Sequence, residues 1–578
     1  MRENNSKKLK LKWVTDVIGD DYKNWREGDT VILQAQTGTG KTYFVKNKLV
    51  PRTEMWDKML LLCNRVALKR QLKLDLIEIT NDLEAKKLVY KKDKEGKLIV
   101  NNKALDKLTT IDNKITIMSY QTLSEFCIAA KYGVGKAFDL NNYKYVVLDE
   151  CHFLTSDSPF NNKTDFSYEK LLKEMNPKSI KIFISATMEE LEDSIELFAN
   201  ENIEQLNHWG IGENKVHKYS TGINEENKTG MDYSYLNPKY FNELSDIANT
   251  IKNDKTDNKW LVFVQSFDDM NYLLEELKGI NGGVASIKSG DENNINFNSI
   301  MDKNKFISRV LITTKVLDNG VNIEDDKLKN IVVMTLDRTT FIQEIGRVRI
   351  DIENAPEINL FIRKKYKKTF TTLLKKYNEK QEQIDLFNEN LNLFKRKFNN
   401  DADKVKKDVI RLGRDTQWEL NKIGLFRLNK DRMFAEMMEN RMRKNKFAFI
   451  EEQLSWIGLE DTFDEDNMIE DVMLEEDKMS LEGYLSSMFE NKIVLLKAPD
   501  REELIKTIGL IDTHNSNLGI KKNIEANIKY VKNINTLNSY LDEEIGSKFR
   551  IKQFETSRNI EGKKKKFKNA WKIVKIIE

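Results

Sequence analysis

The stretch "VILQAQTGTGKTYF", residues 31–44, decides how the rest of the chain is read. A run of apolar β-formers breaks into glycines and threonines, then into Lys41-Thr42, then into a helical pattern. "TVIL" (30–33) has the apolar character of a strand buried in a parallel sheet. Flexible residues between such a strand and a helix start form a nest of backbone N–H groups that suits a phosphate chain. "AQTGTGKT" (35–42) therefore reads as a phosphate loop, with Ala35, Gln36, Thr37, Gly38, Thr39 and Gly40 around the phosphates. In that reading Lys41 reaches the β- and γ-phosphates and the Thr42 hydroxyl ligates Mg²⁺. Ala35 stands where the general pattern has glycine. The plain alternative is a glycine-rich turn that happens to carry Gly-Lys-Thr.

A Mg²⁺-nucleotide site needs carboxylates on a neighbouring strand, and "YKYVVLDECHF" (143–153) supplies them. Val146–Leu148 read as a short buried strand with Asp149 and Glu150 at its C-terminal end, where open α/β sheets bind ligands. Asp149 is expected to hold Mg²⁺, largely through water, and Glu150 to orient and deprotonate the attacking water. The plain alternative is a strand that ends in a solvated acidic turn.

Together "AQTGTGKT" and "DECH" (149–152) resemble motifs I and II of superfamily 2 helicases in the DExH form, whose further motifs follow in order. "FISATM" (183–188) resembles motif III, and the resemblance gives His152, Ser185 and Thr187 a role in coupling the ATP site to the nucleic-acid track. "LLLCNRVALKRQ" (60–71) resembles motif Ia, with Asn64 and Arg65 placed against nucleic-acid phosphates. "ITIMSYQTL" (115–123) offers Tyr120 and Gln121 for the same work. "KWLVFVQSFDDMNYLLEEL" (259–277) resembles motif IV, and "RVLITTKVLDNGVNI" (309–323) resembles motif V, with Thr314 toward nucleic acid and Gly320 and Asn322 toward the nucleotide. Asn322 stands where many relatives have Asp. "FIQEIGRVRI" (341–350) resembles motif VI. The resemblance makes Gln343 catalytic and Arg347 the arginine supplied across the domain cleft. The second family arginine falls on Ile350, so Arg349, one position early, is its candidate substitute. No adenine-reading glutamine is recognisable upstream of the loop.

The implied fold class is α/β: two tandem RecA-like parallel-sheet domains followed by a mainly α-helical C-terminal region. The expected divisions are an N-terminal extension (1–24), a first RecA-like, ATP-binding domain (25–205), a connection (206–245), a second RecA-like domain (246–365) and a helical accessory domain (366–578).

Lysine plus arginine number 95 against 92 aspartate plus glutamate, so net charge says little and its distribution says more. Residues 451–485 hold thirteen acids and one base, whereas residues 546–578 hold eleven bases and three acids. Interleaved Trp456, Phe463, Met468, Ile469 and Leu474 make the acidic stretch a folded surface. Three cysteines support neither a disulfide framework nor a zinc site. No window has the length of a signal peptide core or a transmembrane helix, so a soluble cytoplasmic protein is expected.

Tyr366, Phe370, Leu373, Tyr377, Ile384, Phe387, Leu391, Phe394 and Phe398 recur at helical spacing, which predicts one long amphipathic helix. The tail "GKKKKFKNAWKIVKIIE" (562–578) has two readings. Its lysines and Phe567 or Trp571 grip and stack on nucleic acid, or a basic terminus packs an apolar helix on the body.

The expected activity is nucleic-acid-dependent Mg-ATP hydrolysis that drives translocation on, or unwinding of, DNA or RNA, with DNA as the default polymer. The rivals are a double-strand translocase that does not unwind and an ATP-switched subunit that meets a protein partner through 366–578. A lysine-, asparagine- and isoleucine-rich composition suggests a bacterial, phage or mobile-element source. No membrane partner is expected.

Overall fold

Seven short strands, most of them with an apolar centre, build the first sheet: β1 (Thr30–Gln34), β2 (Met59–Leu62), β3 (Thr110–Ile111), β4 (Ile115–Met118), β5 (Tyr145–Asp149), β6 (Ile180–Ser185) and β7 (Val216–Ser220). They lie in the order β7-β1-β6-β5-β2-β4-β3, all parallel except the short β3. The unbroken apolar runs follow from burial on both faces. Val31, Leu33, Leu61, Val147 and Ile182 join one core cluster, while Ile32, Leu60, Leu62, Val146 and Phe183 join the other. A short helix α1 (Val14–Ile18) packs on the first face through Val14 and Ile18, so part of the N-terminal extension belongs to this core. The computed structural model describes residues 6–576 apart from 64–65, 93–95, 97, 159–160, 211, 223–229, 289–290, 292–293, 316, 318–320, 400, 470–480, 511–529 and 561–562.

The helix after the phosphate loop, α2 (Lys41–Phe44), continues as a π-helical turn over Val45–Leu49. The connection expected over 206–245 is not irregular throughout. It contributes β7 to the edge of the first sheet and β8 (Leu236–Phe241) to the second. The polar sequence of β7 hid it. His217 on that strand sets its Nε2 2.9 Å from Asp29 Oδ2, a polar fastening in place of an apolar one.

The second sheet adds β9 (Lys259–Phe263), β10 (Val284–Ile287), β11 (Val310–Thr313), β12 (Leu328–Val333) and β13 (Ile358–Arg363). Its order is β8-β13-β12-β9-β11-β10, wholly parallel. Helix α3 (Arg338–Ile345) follows β12 and is capped by Asp337, whose side chain accepts from the Thr340 N–H. Two RecA-like sheets with helices between their strands confirm the α/β reading.

Beyond β13 the expected single helix is two. Helix α4 (Lys367–Glu389) stops, and the Asn390 side chain accepts from the Leu393 N–H to start α5 (Leu391–Phe398). The break lets the Phe387 and Phe394 rings meet edge to face, 5.3 Å apart, in a core with Ile384, Phe398, Val409 and Ile410. An antiparallel pair, β14 (Ile410–Leu412) and β15 (Trp418–Leu420), leads to α6 (Lys422–Arg441). The described part of the acidic stretch is folded. The Ile469 N–H donates to the Tyr240 carbonyl at 2.7 Å, and Phe463 stacks on the Tyr240 ring, so this segment covers the outer strand β8.

The chain divides into two compact units. One comprises Met1–Lys365, Thr372–Arg441 and Phe447–Glu470, the other Tyr366–Thr371, Met442–Lys446 and Asp471–Glu578. In the second, helices α7 (Leu481–Glu490), α8 (Glu502–Ile508) and α9 (Ile534–Ser539) pack with β16 (Val494–Leu495), β17 (Phe549–Ile560) and β18 (Lys563–Lys575). The antiparallel order is β16-β18-β17. The basic tail is therefore a strand, not a helix. Trp571 is buried in the core of this unit, with the Arg501 guanidinium 4.5 Å from its ring centroid, which withdraws it from base stacking. Among the described residues no helix is long and apolar enough to cross a membrane.

Candidate functional site

Strands β1, β6 and β5 are neighbours, so their C-terminal ends bring three loops together. The Ala35 N–H donates to the Ser185 carbonyl at 2.9 Å, which ties the start of the phosphate loop to the end of β6. Gly38 and Gly40 have φ of +94° and +90°, a conformation that favours glycine and turns successive N–H groups inward. The Thr39 hydroxyl donates to the Gln36 carbonyl at 2.8 Å and closes the loop on itself. Gln36 is occupied elsewhere: its amide donates to the Asp232 carbonyl and its Oε1 accepts from the Asp232 N–H. Thr37 Oγ1 is buried with no hydrogen-bond partner, a polar atom that a phosphate oxygen would satisfy. Thr42 is exposed.

At the end of β5, Glu150 has φ of +50°, a strained conformation for a non-glycine residue and one found at functional sites. Its Oε1 lies 3.2 Å from Lys41 Nζ and its Oε2 lies 3.4 Å from His152 Nδ1. Burial opposes ionisation of Glu150, but Lys41, His152 and Arg347 outweigh it and hold the carboxyl well below its usual range. Burial and the adjacent Glu150 charge push Asp149 the other way, to about 6. His152 Nδ1 is also 2.9 Å from Ser185 Oγ, which accepts from the Thr187 N–H at 3.0 Å. His152, Ser185 and Thr187 thus form one buried chain that leads away from Glu150.

The second sheet supplies the opposite wall. Gly346, just after α3, faces Thr37 so closely that a Cβ there would lie 2.7 Å from Thr37 Oγ1. Gln343 bridges the two halves. Its amide nitrogen donates to Glu150 Oε2 at 3.4 Å and its Oε1 accepts from Arg347 at 2.6 Å. Arg347 is buried and also donates to the Gln343 and Val321 carbonyls. The Arg349 guanidinium lies 4.0 Å from where a Gly38 side chain would begin, and its Nε donates to Asn322 Oδ1 at 2.8 Å. Ile350 presents only its carbonyl to Gly38. Burial, and then the charge of the neighbouring Arg347, lower Arg349 to about 10.

The track residues expected from sequence fare differently. Tyr120 is fully buried, stacks on Phe153 and donates its hydroxyl to the Asp149 carbonyl at 2.9 Å. It supports the carboxylate strand and has no face for nucleic acid, which corrects the expectation. Gln121 and Thr314 are half-buried. Asn322 holds Arg349 here. Asn64, Arg65 and Gly320 lie outside the described residues.

Sequence reasoning missed Arg427 on α6. Its guanidinium pairs with Glu190, just after the Ser-Ala-Thr loop, at 3.0 Å, with Asp431 at 2.7 Å, and with Asp337, the cap of α3. One buried fork thereby fastens both sheets. The only local signal was Asp431 four residues on, a spacing shared with many solvated helix faces. Arg427→Ala should destabilise this unit by about 1–3 kcal/mol, because it leaves three half-buried carboxylates without their shared cation. Chemical denaturation would read the loss, and Arg427→Lys, a point charge without the fork, should recover less than half of it.

Two family models match the chain: "Type III restriction enzyme, res subunit" over residues 5–190 and "Helicase conserved C-terminal domain" over residues 240–351. No curated protein matches. Similar solved structures include Dbp5 of S. cerevisiae bound to RNA and ADP BeF3, at 17% identity over 60% of this chain and 81% of that one, TM-score 0.38. A DEAD box protein from Methanococcus jannaschii has 20% identity over 60% and 85%, TM-score 0.31. The Escherichia coli DEAH/RHA helicase HrpB has 15% identity over 61% and 42%, TM-score 0.38.

Proposed function

We propose that this chain, which belongs to superfamily 2 of the helicases, is a nucleic-acid-dependent motor that hydrolyses Mg-ATP in the cleft between its two sheets. The observation that carries the reading is Gln343, which links the carboxylate of one sheet to the arginine of the other. Hydrolysis is thereby tied to the distance between the sheets.

The residues present fit both ATP and the ion. Paired like charges, Asp149 with Glu150 and Arg347 with Arg349, are held close and would each be relieved by a group of opposite sign. Among the described residues no three His, Cys, Asp or Glu side chains cluster as a metal cage. Mg²⁺ needs none, since waters and phosphates complete its shell. Thr42 and Asp149 would hold that Mg²⁺, which offsets charge on the phosphates. The loop N–H groups and Lys41 hold the phosphates. Glu150, released from Lys41, orients the attacking water and takes its proton. Arg347 and Arg349 stabilise charge that develops on the γ-phosphate. Cleavage loosens the grip of the second sheet, and His152, Ser185 and Thr187 relay the change toward the track.

Trp13 provides a flat apolar face for the base. It is 38% exposed, and its ring lies 3.6 Å from where a Gly40 side chain would begin. Trp13→Ala should raise the KM for ATP about tenfold and leave kcat within twofold, as expected for the loss of one stacking contact. Steady-state kinetics at saturating polymer would separate the two terms.

The res-subunit match supports DNA as the polymer. The deciding experiment is Mg-ATP hydrolysis with no polymer, single-stranded DNA, duplex DNA and RNA, with Lys41→Ala as control. Stimulation by DNA that the control abolishes supports the reading, and stimulation by RNA alone replaces the polymer. A wild-type rate indifferent to every polymer overturns the motor.

A further inference from the structure

The ribbon β17–β18 outruns the core it is rooted in. Phe549, Ile551, Trp571 and Ile573 are buried at its base. A bulge between Phe554 and Thr556 then interrupts the register. Past it, Ser557, Arg558, Lys565, Lys566 and Lys568 are exposed and Thr556 and Phe567 are half-buried, so among the described residues no side chain of the outer ribbon is buried in a core. A lone two-stranded ribbon is marginal in water.

Its charges make it worse. The register sets Arg558 opposite Lys565 in the outer ribbon and Lys552 opposite Lys572 at its base, and like charges directly opposed are destabilising. The one described acid of the outer ribbon, Glu555, is taken by Lys566 at 2.7 Å. A polyanion would relieve this arrangement.

We infer that the outer ribbon is an arm that lies along a groove of B-form duplex DNA, with its basic side chains on the flanking phosphates. The inference deepens the motor reading and rests on it. Single-strand sites depend on aromatic platforms. Here Trp571 is buried, Phe554 lies under the Lys572 ammonium at 5.0 Å, and no aromatic of the outer ribbon is fully exposed among the described residues. The major groove of B-form DNA admits a two-stranded ribbon, whereas that of A-form RNA is too narrow and deep. Strands about 4.8 Å apart leave room for lysine stems on both sides.

The test uses the full chain without nucleotide and measures binding to a DNA duplex, its separated strand and an RNA duplex across a salt series. One variant carries Arg558→Gln, Lys565→Gln, Lys566→Gln and Lys568→Gln, all at exposed positions outside the core. A second keeps the charge with Arg558→Lys, Lys565→Arg, Lys566→Arg and Lys568→Arg. The neutral variant should lose about tenfold or more in DNA-duplex affinity, with a salt slope smaller by about 3–4. The charge-keeping variant should bind as wild type, and ATP hydrolysis stimulated by single strands should stay within twofold in both. Unchanged duplex affinity in the neutral variant, equal loss on duplex and single strand, or wild-type binding of the RNA duplex as tight as of DNA would overturn the arm while the motor stands. Absence of polymer binding and polymer stimulation in the wild type would overturn both.

Discussion

Arg347→Ala is expected to lower kcat for polymer-stimulated ATP hydrolysis by about 10³–10⁵, the range found when an arginine is withdrawn from a transferring phosphoryl group. That corresponds to about 4–7 kcal/mol of transition-state stabilisation. The structure explains why the effect should fall on kcat. Arg347 is fixed before any substrate arrives, because the Gln343 and Val321 carbonyls and Gln343 Oε1 accept its donors. A guanidinium already oriented loses little entropy when charge develops in front of it. The same bonds give the side chain a structural share, so the variant needs a fold control. Arg347→Lys keeps a charge but cannot reproduce three directed bonds, and it should remain at least tenfold impaired. Arg349→Ala, beside Gly38, should weaken nucleotide binding as well as turnover. If Arg347→Ala with an intact melting transition loses less than tenfold, the finger is Arg349.

Glu150→Gln should lower the single-turnover hydrolysis rate by about 10²–10⁴ while ATP affinity stays within a few-fold, since only the proton acceptor is lost. Glutamine keeps the shape, and its carbonyl still accepts from Lys41. The carboxyl of Glu150 lies well below its usual range because Lys41, His152 and Arg347 overcome the effect of burial. Once Lys41 turns to the phosphates, His152 and Arg347 still favour the charged form and leave the base ionised throughout the neutral range. The wild-type rate should therefore show no loss through Glu150 until the pH falls below the ordinary carboxylate range. A full wild-type rate in the glutamine variant would remove Glu150 from the chemistry.

The parts of the cleft that sequence could show are those written in adjacent residues. A β-strand, two glycines at positive φ and Lys41-Thr42 are a local pattern, as are Asp149-Glu150 at a strand end and Gln343 four residues before Arg347. The alternating allegiance of Val31, Ile32 and Leu33 to two cores likewise appears as an unbroken apolar run. What stayed hidden depends on distant partners. Arg349 faces the loop because the Arg349 N–H donates to the Ile323 carbonyl and the Ile323 N–H to the Arg347 carbonyl, a pairing that spacing within motif VI does not reveal. Tyr120 looked like a contact residue because its loop position was visible and its burial under β5 was not. The basic ribbon was missed because a lysine run swamps the period of two that Trp571 and Ile573 retain. Trp13, beside Gly40, and Arg427, between Glu190 and Asp337, lie outside the matching motifs.

The fastening by α6 gives synthesis an order. When the first 365 residues have left the ribosome, both sheets are complete, but Arg427 and the segment around Ile469 have yet to follow. In that interval Glu190 and Asp337 face each other without their shared cation. Strand β8 lies open along one side, as an edge able to recruit another chain. The nascent protein is thus most prone to association just before its last hundred or so residues of the first unit appear, and a fragment that stops at Lys365 would keep that exposure permanently. The acidic segment that later bridges to Tyr240 covers part of that edge and sets like charge beside it that repels other copies.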